Sequence, residues 1–176
     1  MTKTTLTVAI LMGGRSAERE VSLVTGQEIE KALKQKGYKT VPLELDKNVA
    51  ENLKASKCDV VFIALHGSPG EDGTIQGMLE ILGLPYVGSG VLASALGMDK
   101  VRSKMFFTSL GIPAPFHMVV TKAEKEKQPQ QLIERLLSSL GLPMVVKPGD
   151  AGSALGVKIV KTKEEIAPAL EAALSF

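Results

Sequence analysis

Strand-length apolar runs alternate with helix-period segments along nearly all of the 176-residue chain, and this alternation restricts the fold to α/β units built on a parallel sheet. Leu6 to Met12 reads as a buried strand that Gly13-Gly14 ends. Val21, Val24, Ile29, Ala32 and Leu33 then recur on roughly one face of a helix that stops at Lys36-Gly37. Val41, Leu43 and Leu45 alternate as a strand does, and Pro42 points to an edge position. Asp59 to Leu65 is a second buried run, followed by the polar turn His66 to Gly73. Ile75, Met78, Leu79 and Leu82 fall at i, i+3, i+4 and i+7, an amphipathic helix ending at Gly83 before a short strand from Pro85 to Val87.

The pattern changes after Gly88. Helices dominate from Ser89 to Leu110, and Gly111, Pro113 and Pro115 punctuate a fresh start, so a boundary is expected near Gly88 to Gly90, giving domains 1–88 and 89–176. In the second, Phe116 to Val120 reads as a strand, and Leu132, Ile133, Leu136, Leu137 and Leu140 form a helix face. Met144 to Lys147 and Val157 to Val160 read as strands joined by a glycine-containing turn. Thr162 with Glu165 makes a capping box for a last helix. The alternating charges of Lys122 to Gln131 mark an exposed face or loop.

Composition narrows the function classes. With 44% hydrophobic residues the chain can bury a real core without disulfides or metal staples. Lys and Arg total 21 against 19 Asp and Glu, and the net charge of +2 gives no electrostatic reason to expect nucleic acid or an anionic membrane as partner. No Trp, two Tyr and five Phe leave few stacking platforms for single strands. The one cysteine, Cys58, forms no disulfide framework, fits a reducing, cytoplasmic setting, and reads as an inert residue at a strand edge. The uncharged stretch Ile81 to Met98 is broken by Pro85 and by Gly83, Gly88, Gly90 and Gly97, so no membrane span is expected. The apolar run at Leu6 lacks a small-residue cleavage site, so no signal peptide is expected.

Four segments are polar or glycine-rich where strands end, and in parallel α/β sheets ligands collect at those carboxyl ends. Gly13-Gly14-Arg15-Ser16-Ala17-Glu18-Arg19-Glu20 allows close backbone approach at a helix start but is not the G-x-G-x-x-G dinucleotide pattern. Glu18 is either a first-turn acid favoured by the helix dipole or a carboxylate set to hold an ammonium group. His66, opening a glycine-rich turn, is either a hydrogen-bonded loop histidine or a proton donor at a strand end, whereas His117 lies in an apolar pattern and reads as structural. In Met98-Asp99-Lys100-Val101-Arg102-Ser103-Lys104, Arg102 and Lys104 read as a solvated face, while Lys100 at the helix start can reach an anion. Lys147 closes a buried strand, which argues for an anionic partner, and the glycines up to Gly156, with Gly152 and Ser153, form either a long hairpin loop or a flap of N–H donors over phosphates.

Together the strings GGRSAEREVS, ALHGSPGEDGTIQGMLEILGLPYVGSG, SALGMDKVRSK and GLPMVVKPGDAGSALGV closely resemble, in order and spacing, the D-alanine–D-alanine ligases of the ATP-grasp superfamily. The resemblance covers nearly the whole chain. It implies a Rossmann-like pre-ATP-grasp domain with a parallel sheet, followed by the first lobe of an ATP-grasp domain. In that family ATP phosphorylates one D-alanine, and the amine of a second attacks the acyl phosphate to give the cell-wall dipeptide of peptidoglycan synthesis. By matching motif, Glu18 would hold the first ammonium with Ser22 nearby, and His66 would lie against the reacting carboxylate. Lys100 and Lys147 would contact ATP phosphates, each worth about 4 kcal/mol at ~4 Å in an effective dielectric near ~20 before desolvation. The loop of Gly149 to Gly156, with Gly152, would close over the γ-phosphate, and Ser153 would help anchor Glu18.

Two departures from the family pattern bear on activity. Ala151 and Ala154 stand where an acid and a second serine are usual. Family members also continue through a further lobe carrying the adenine strand, the Mg²⁺ ligands, an arginine and a covering loop, so the metal ligands are expected outside these 176 residues. The resemblance therefore implies no turnover by this stretch alone, exposed apolar surface where that lobe would pack, and a homodimer. Two alternatives accompany it: a non-catalytic relative acting as a binding module or as half of a split enzyme, and a ligase using D-lactate or D-serine as second substrate.

Overall fold

The computed structural model describes residues 6–150, 152 and 154–176. The chain forms two compact units, the first ending at Met98 and the second running from Asp99 to Phe176. The glycines at 88 to 90 fall within the first unit, because the helix after them packs on the one before them.

In the first unit, β1 (Thr7–Met12), β2 (Lys39–Glu44), β3 (Val60–Ile63) and β4 (Tyr86–Val87) make an all-parallel sheet in the order β2-β1-β3-β4. The central β1 is almost wholly buried, as its unbroken apolar run requires. Helices α1 (Arg19–Gln35), α2 (Val49–Ser56) and α3 (Thr74–Ile81) connect the strands, and α4 (Val91–Met98) follows β4. One core joins Ala9, Leu11, Leu53, Val61 and Leu79, and a second joins Val8, Ile10, Met12 and Ala64 with Ile29 and Leu33. Pro42 lies on the edge strand as its imino nitrogen demands. The N–H groups of Lys39 and Leu45 point to β1, so by alternation that of residue 42 would point away from the ladder and its absence costs no bond.

One expectation changes here, and one helix is added. The buried stripe of α1 contains Ser22 and Gly26, whereas Val21 and Val24 are 55% and 61% exposed. A Cβ at Gly26 would stand 2.7 Å from Met12 Cβ, so this helix approaches the sheet through its smallest residues, which a search for large apolar side chains passes over. Helix α2 also went unread, because Val49 and Leu53 are the two buried apolar residues that mark it.

In the second unit, α5 (Lys100–Ser109), α6 (Lys122–Lys127), α7 (Pro129–Leu140), the hairpin of β5 (Met144–Val146) and β6 (Lys158–Val160), a 3-10 turn (Lys163–Glu165) and α8 (Ile166–Leu174) follow in order. The hairpin is antiparallel, with Met144 opposite Val160 and Val145 opposite Ile159. Met144 and Val160 close on Leu132, Leu136, Ile166 and Leu170, while Val145 and Ile159 on the other face are exposed. The capping box of Thr162 and Glu165 is present as read from the sequence. Phe116 to Val120 is not a strand: the segment has irregular backbone with Phe116 exposed, and it contributes Met118 and Val120 to the core without a ladder partner among the described residues. Lys122 to Lys127 is helical, with Thr121 accepting from the Glu124 N–H and ion pairs joining Lys125 to Glu171 and Arg135 to Glu124. No helix among the described residues is long and apolar enough to cross a membrane.

Candidate functional site

At the end of β1, Gly13 and Gly14 take φ of 76° and 92°, which turns the chain sharply into α1. The Gly13 N–H donates to Ser22 Oγ at 2.8 Å, and the Ser22 hydroxyl donates to the Ala64 carbonyl at 2.8 Å. Ser22 is fully buried with its hydroxyl engaged on both sides, so it fastens the helix to two strand ends instead of offering a surface to a small molecule.

Ser16 and Thr25, which the sequence reading did not single out, organise what surrounds it. Ser16 Oγ donates to the His66 carbonyl at 2.8 Å and accepts the Glu18 N–H at 3.2 Å, bringing the two sequence-predicted residues under one hydroxyl. Thr25 Oγ1 lies 3.0 Å from His66 Nε2. The sign available in the sequence was position: Thr25 follows Ser22 by three residues and so shares its side of the helix.

Glu18 is half-buried at the start of α1. Its Oε2 would stand 3.0 Å from a Cβ at Gly67, which has φ of 65°, so glycine is what lets the carboxylate lie against the turn. Among the described residues, the Glu18 carboxylate has neither a hydrogen bond nor an ion pair. The turn itself is knotted by short bonds: Gly67 N–H to Glu71 Oε2 at 2.8 Å, Ser68 Oγ to Asp72 Oδ2 at 2.5 Å, and Thr74 N–H to Asp72 Oδ1 at 3.0 Å. Burial alone would push Asp72 up, but the bonds from Ser68 and Thr74 outweigh it and hold the carboxyl below its ordinary value. Gln76, also buried, donates to the Gly70 carbonyl at 2.8 Å.

In the second unit, Asp99 caps α5 by accepting the Arg102 N–H at 2.8 Å, and its carboxylate pairs with the exposed Arg102 guanidinium. The Lys100 N–H donates to the Gly149 carbonyl at 2.9 Å, which ties the start of α5 to the loop following β5. Lys147 stands exposed at the end of β5, which is not the buried strand its apolar run suggests, because one face of the hairpin, with Val145, is open to solvent. Lys104 is not part of a solvated face: it is half-buried, and its Nζ donates to the Pro115 carbonyl at 3.2 Å. Burial and the nearby charge of Lys147 both hold its ammonium below the ordinary lysine value. In the loop, Gly152 is half-buried, and Gly156 has φ of 70° with a Cβ position only 2.7 Å from the Phe176 ring. Ser153 and Ala151, to which the sequence reading assigns parts in this loop, lie outside the described residues.

The model of the D-ala D-ala ligase N-terminus matches residues 7–54 and 47–89, and that of the D-ala D-ala ligase C-terminus matches residues 106–176. The chain belongs to the D-alanine–D-alanine ligase family. It is 50% identical over 173 residues to the D-alanine–D-alanine ligase of Pelotomaculum thermopropionicum, covering 98% of this chain and 54% of that protein. A D-alanine–D-alanine ligase from Bacillus anthracis superposes with a TM-score of 0.82 at 40% identity, over 97% of this chain and 54% of that one. A second structure of the Bacillus anthracis ligase, complexed with ATP, gives 0.79 at 39% identity. D-alanyl-alanine synthetase A from Vibrio cholerae gives 0.81 at 32%, over 99% of this chain and 57% of that one.

The chain thus spans about half the length of the ligases it matches. These neighbours bear out the α/β class with its parallel sheet. Among the described residues, no group of three or more His, Cys, Asp and Glu side chains is placed to hold a metal ion.

Proposed function

We propose that this chain carries the first-D-alanine and phosphate-binding residues of an ATP-dependent D-alanine–D-alanine ligase acting in peptidoglycan synthesis. In that reaction the carboxylate of one D-alanine takes the γ-phosphoryl group of ATP, releasing ADP. The amine of a second D-alanine then attacks the acyl phosphate, expelling phosphate and a proton as the peptide bond forms. The observation that carries the reading is the half-buried Glu18 carboxylate, without a partner among the described residues, against the turn that His66 opens. A charged acceptor withdrawn from water gains most from a cationic partner, and an amino acid's ammonium supplies one. His66 lies against the carboxylate that reacts, with Ser22 holding the helix that bears Glu18.

Lys100 and Lys147 neutralise ATP phosphates, and the loop through Gly152 and Ser153 lies over them. Positioning and charge neutralisation are most of what phosphoryl transfer asks of a protein. The Mg²⁺ ligands belong to the part of the relatives that these residues do not span, and the complete ligase works as a cytoplasmic homodimer.

Calorimetric titration of the 176-residue polypeptide with D-alanine tests the reading. Glu18→Gln is expected to weaken binding about 10- to 100-fold, the worth of a hydrogen bond to a charged group. Equal affinity of the two proteins would overturn it. The same polypeptide is expected to release no ADP from ATP and D-alanine, since it does not span the part of the relatives to which the Mg²⁺ ligands are assigned, and measurable turnover would refute that part.

A further inference from the structure

We infer that Thr25 is the positioning residue for the His66 imidazole. The inference rests on the proposed role of His66, and its test separates the two. A histidine at a strand end has two torsions to fix before its ring presents a defined edge. Ser16 fixes the backbone, donating to the His66 carbonyl at 2.8 Å, and the Ala64 N–H bonded to Leu11 at 2.8 Å holds the strand two residues earlier. Neither bond touches the ring. Thr25 does, with Oγ1 at 3.0 Å from Nε2.

The pairing suits the chemistry of both groups. A hydroxyl donates and accepts, so it satisfies Nε2 in either neutral tautomer. It also comes from the middle of a 17-residue helix that Ser22, one turn earlier, pins to the sheet, so the anchor is stiff. Among the described residues, Nδ1 has no hydrogen-bond partner. A ring held by Nε2 leaves Nδ1 as the nitrogen a ligand can reach, and a carboxylate bonded there would meet the same nitrogen at every turnover.

Nitrogen-15 spectra of the imidazoles test this on the full 176-residue chain, whose two histidines are told apart with His117→Gln. Thr25→Val keeps the shape and removes the hydroxyl, and Thr25→Ser restores the hydroxyl. In Thr25→Val the His66 ring shifts are expected to move toward those of free histidine while those of His117 stay, and Thr25→Ser is expected to return them. D-alanine affinity is expected to fall about fivefold in Thr25→Val and to recover in Thr25→Ser. Unchanged His66 ring shifts in Thr25→Val overturn the inference. Altered ring shifts in a protein that binds no D-alanine leave Thr25 as the positioning residue and remove the proposed ligase role.

Discussion

The Ser22 hydroxyl donates to the Ala64 carbonyl at 2.8 Å while accepting the Gly13 N–H at 2.8 Å, so one fully buried oxygen ties a helix to the ends of two neighbouring strands. Ser22→Ala would strand a donor and an acceptor out of reach of water. An unsatisfied buried group costs about 1–3 kcal/mol, so the expected loss is about 2 kcal/mol or more. Urea unfolding followed by far-ultraviolet dichroism measures it, and a loss below about 0.5 kcal/mol would show that the two groups find other partners.

Two helical glycines should respond in opposite directions to the same substitution. At Gly26 a new methyl would stand 2.7 Å from Met12 Cβ, which cannot move without the strand, and overpacking of this kind costs about 1–3 kcal/mol. At Gly77 in α3 the new methyl would meet Val91 Cγ2 at an ordinary 3.9 Å, and replacing a helical glycine gains about 0.5–1 kcal/mol. Thermal melting of Gly26→Ala and Gly77→Ala should therefore bracket the parent protein.

The hydrogen bonds of Asp72 give its turn an acid-dependent stability. Its folded pKa is lowered from 3.8, so the contribution is complete above that value and is lost as pH falls through the lower folded value. Asp72→Ala should cost about 1 kcal/mol at neutral pH, as loss of a capping acceptor does. Urea midpoints measured down the pH scale should show the gap between the two proteins holding to about pH 5 and closing below about pH 4. A gap that persists at the acid end would mean the carboxylate's charge plays no part.

Lys104 should report on its neighbour. Burial and the charge of Lys147 both favour its neutral form, so between its lowered value and 10.5 the folded state holds fewer protons than the unfolded chain, and stability rises with pH across that window. Lys147→Met removes one of the two causes and should raise the Lys104 midpoint, read from its ε-carbon resonance. No movement would separate the two ammonium groups.

The Lys104 case also shows where the sequence stopped being legible. Three cations within five residues look alike in the sequence, and Pro115, the partner that withdraws Lys104 from the solvated face, lies eleven residues on. Strands β1 and β3 were legible because burial in a core forces unbroken apolar runs, β5 was legible from composition although only Met144 of its three residues is buried, and α7 because Leu132 and Leu136 recur with the helical period. The contact face of α1 was not, because Ser22 and Gly26 earn their burial by being small. Phe116 to Val120 has a strand's composition and, among the described residues, no strand paired with it, and composition carries no record of partners. Of the candidate site, Glu18 and His66 could be found as chemistry placed beside glycines, whereas Ser16 and Thr25 act on other residues and show their purpose in three dimensions alone.

Pro42 has a meaning for the chain among its own copies. A parallel sheet with an open side strand is a template on which an extended stranger can dock, rung by rung. On the outer side of β2 the middle rung is missing, because the ring occupies the place of an outward N–H. Growth of the sheet in that direction is interrupted at its centre, and a crowded solution of newly made chains is denied one of its simplest routes to a fibre.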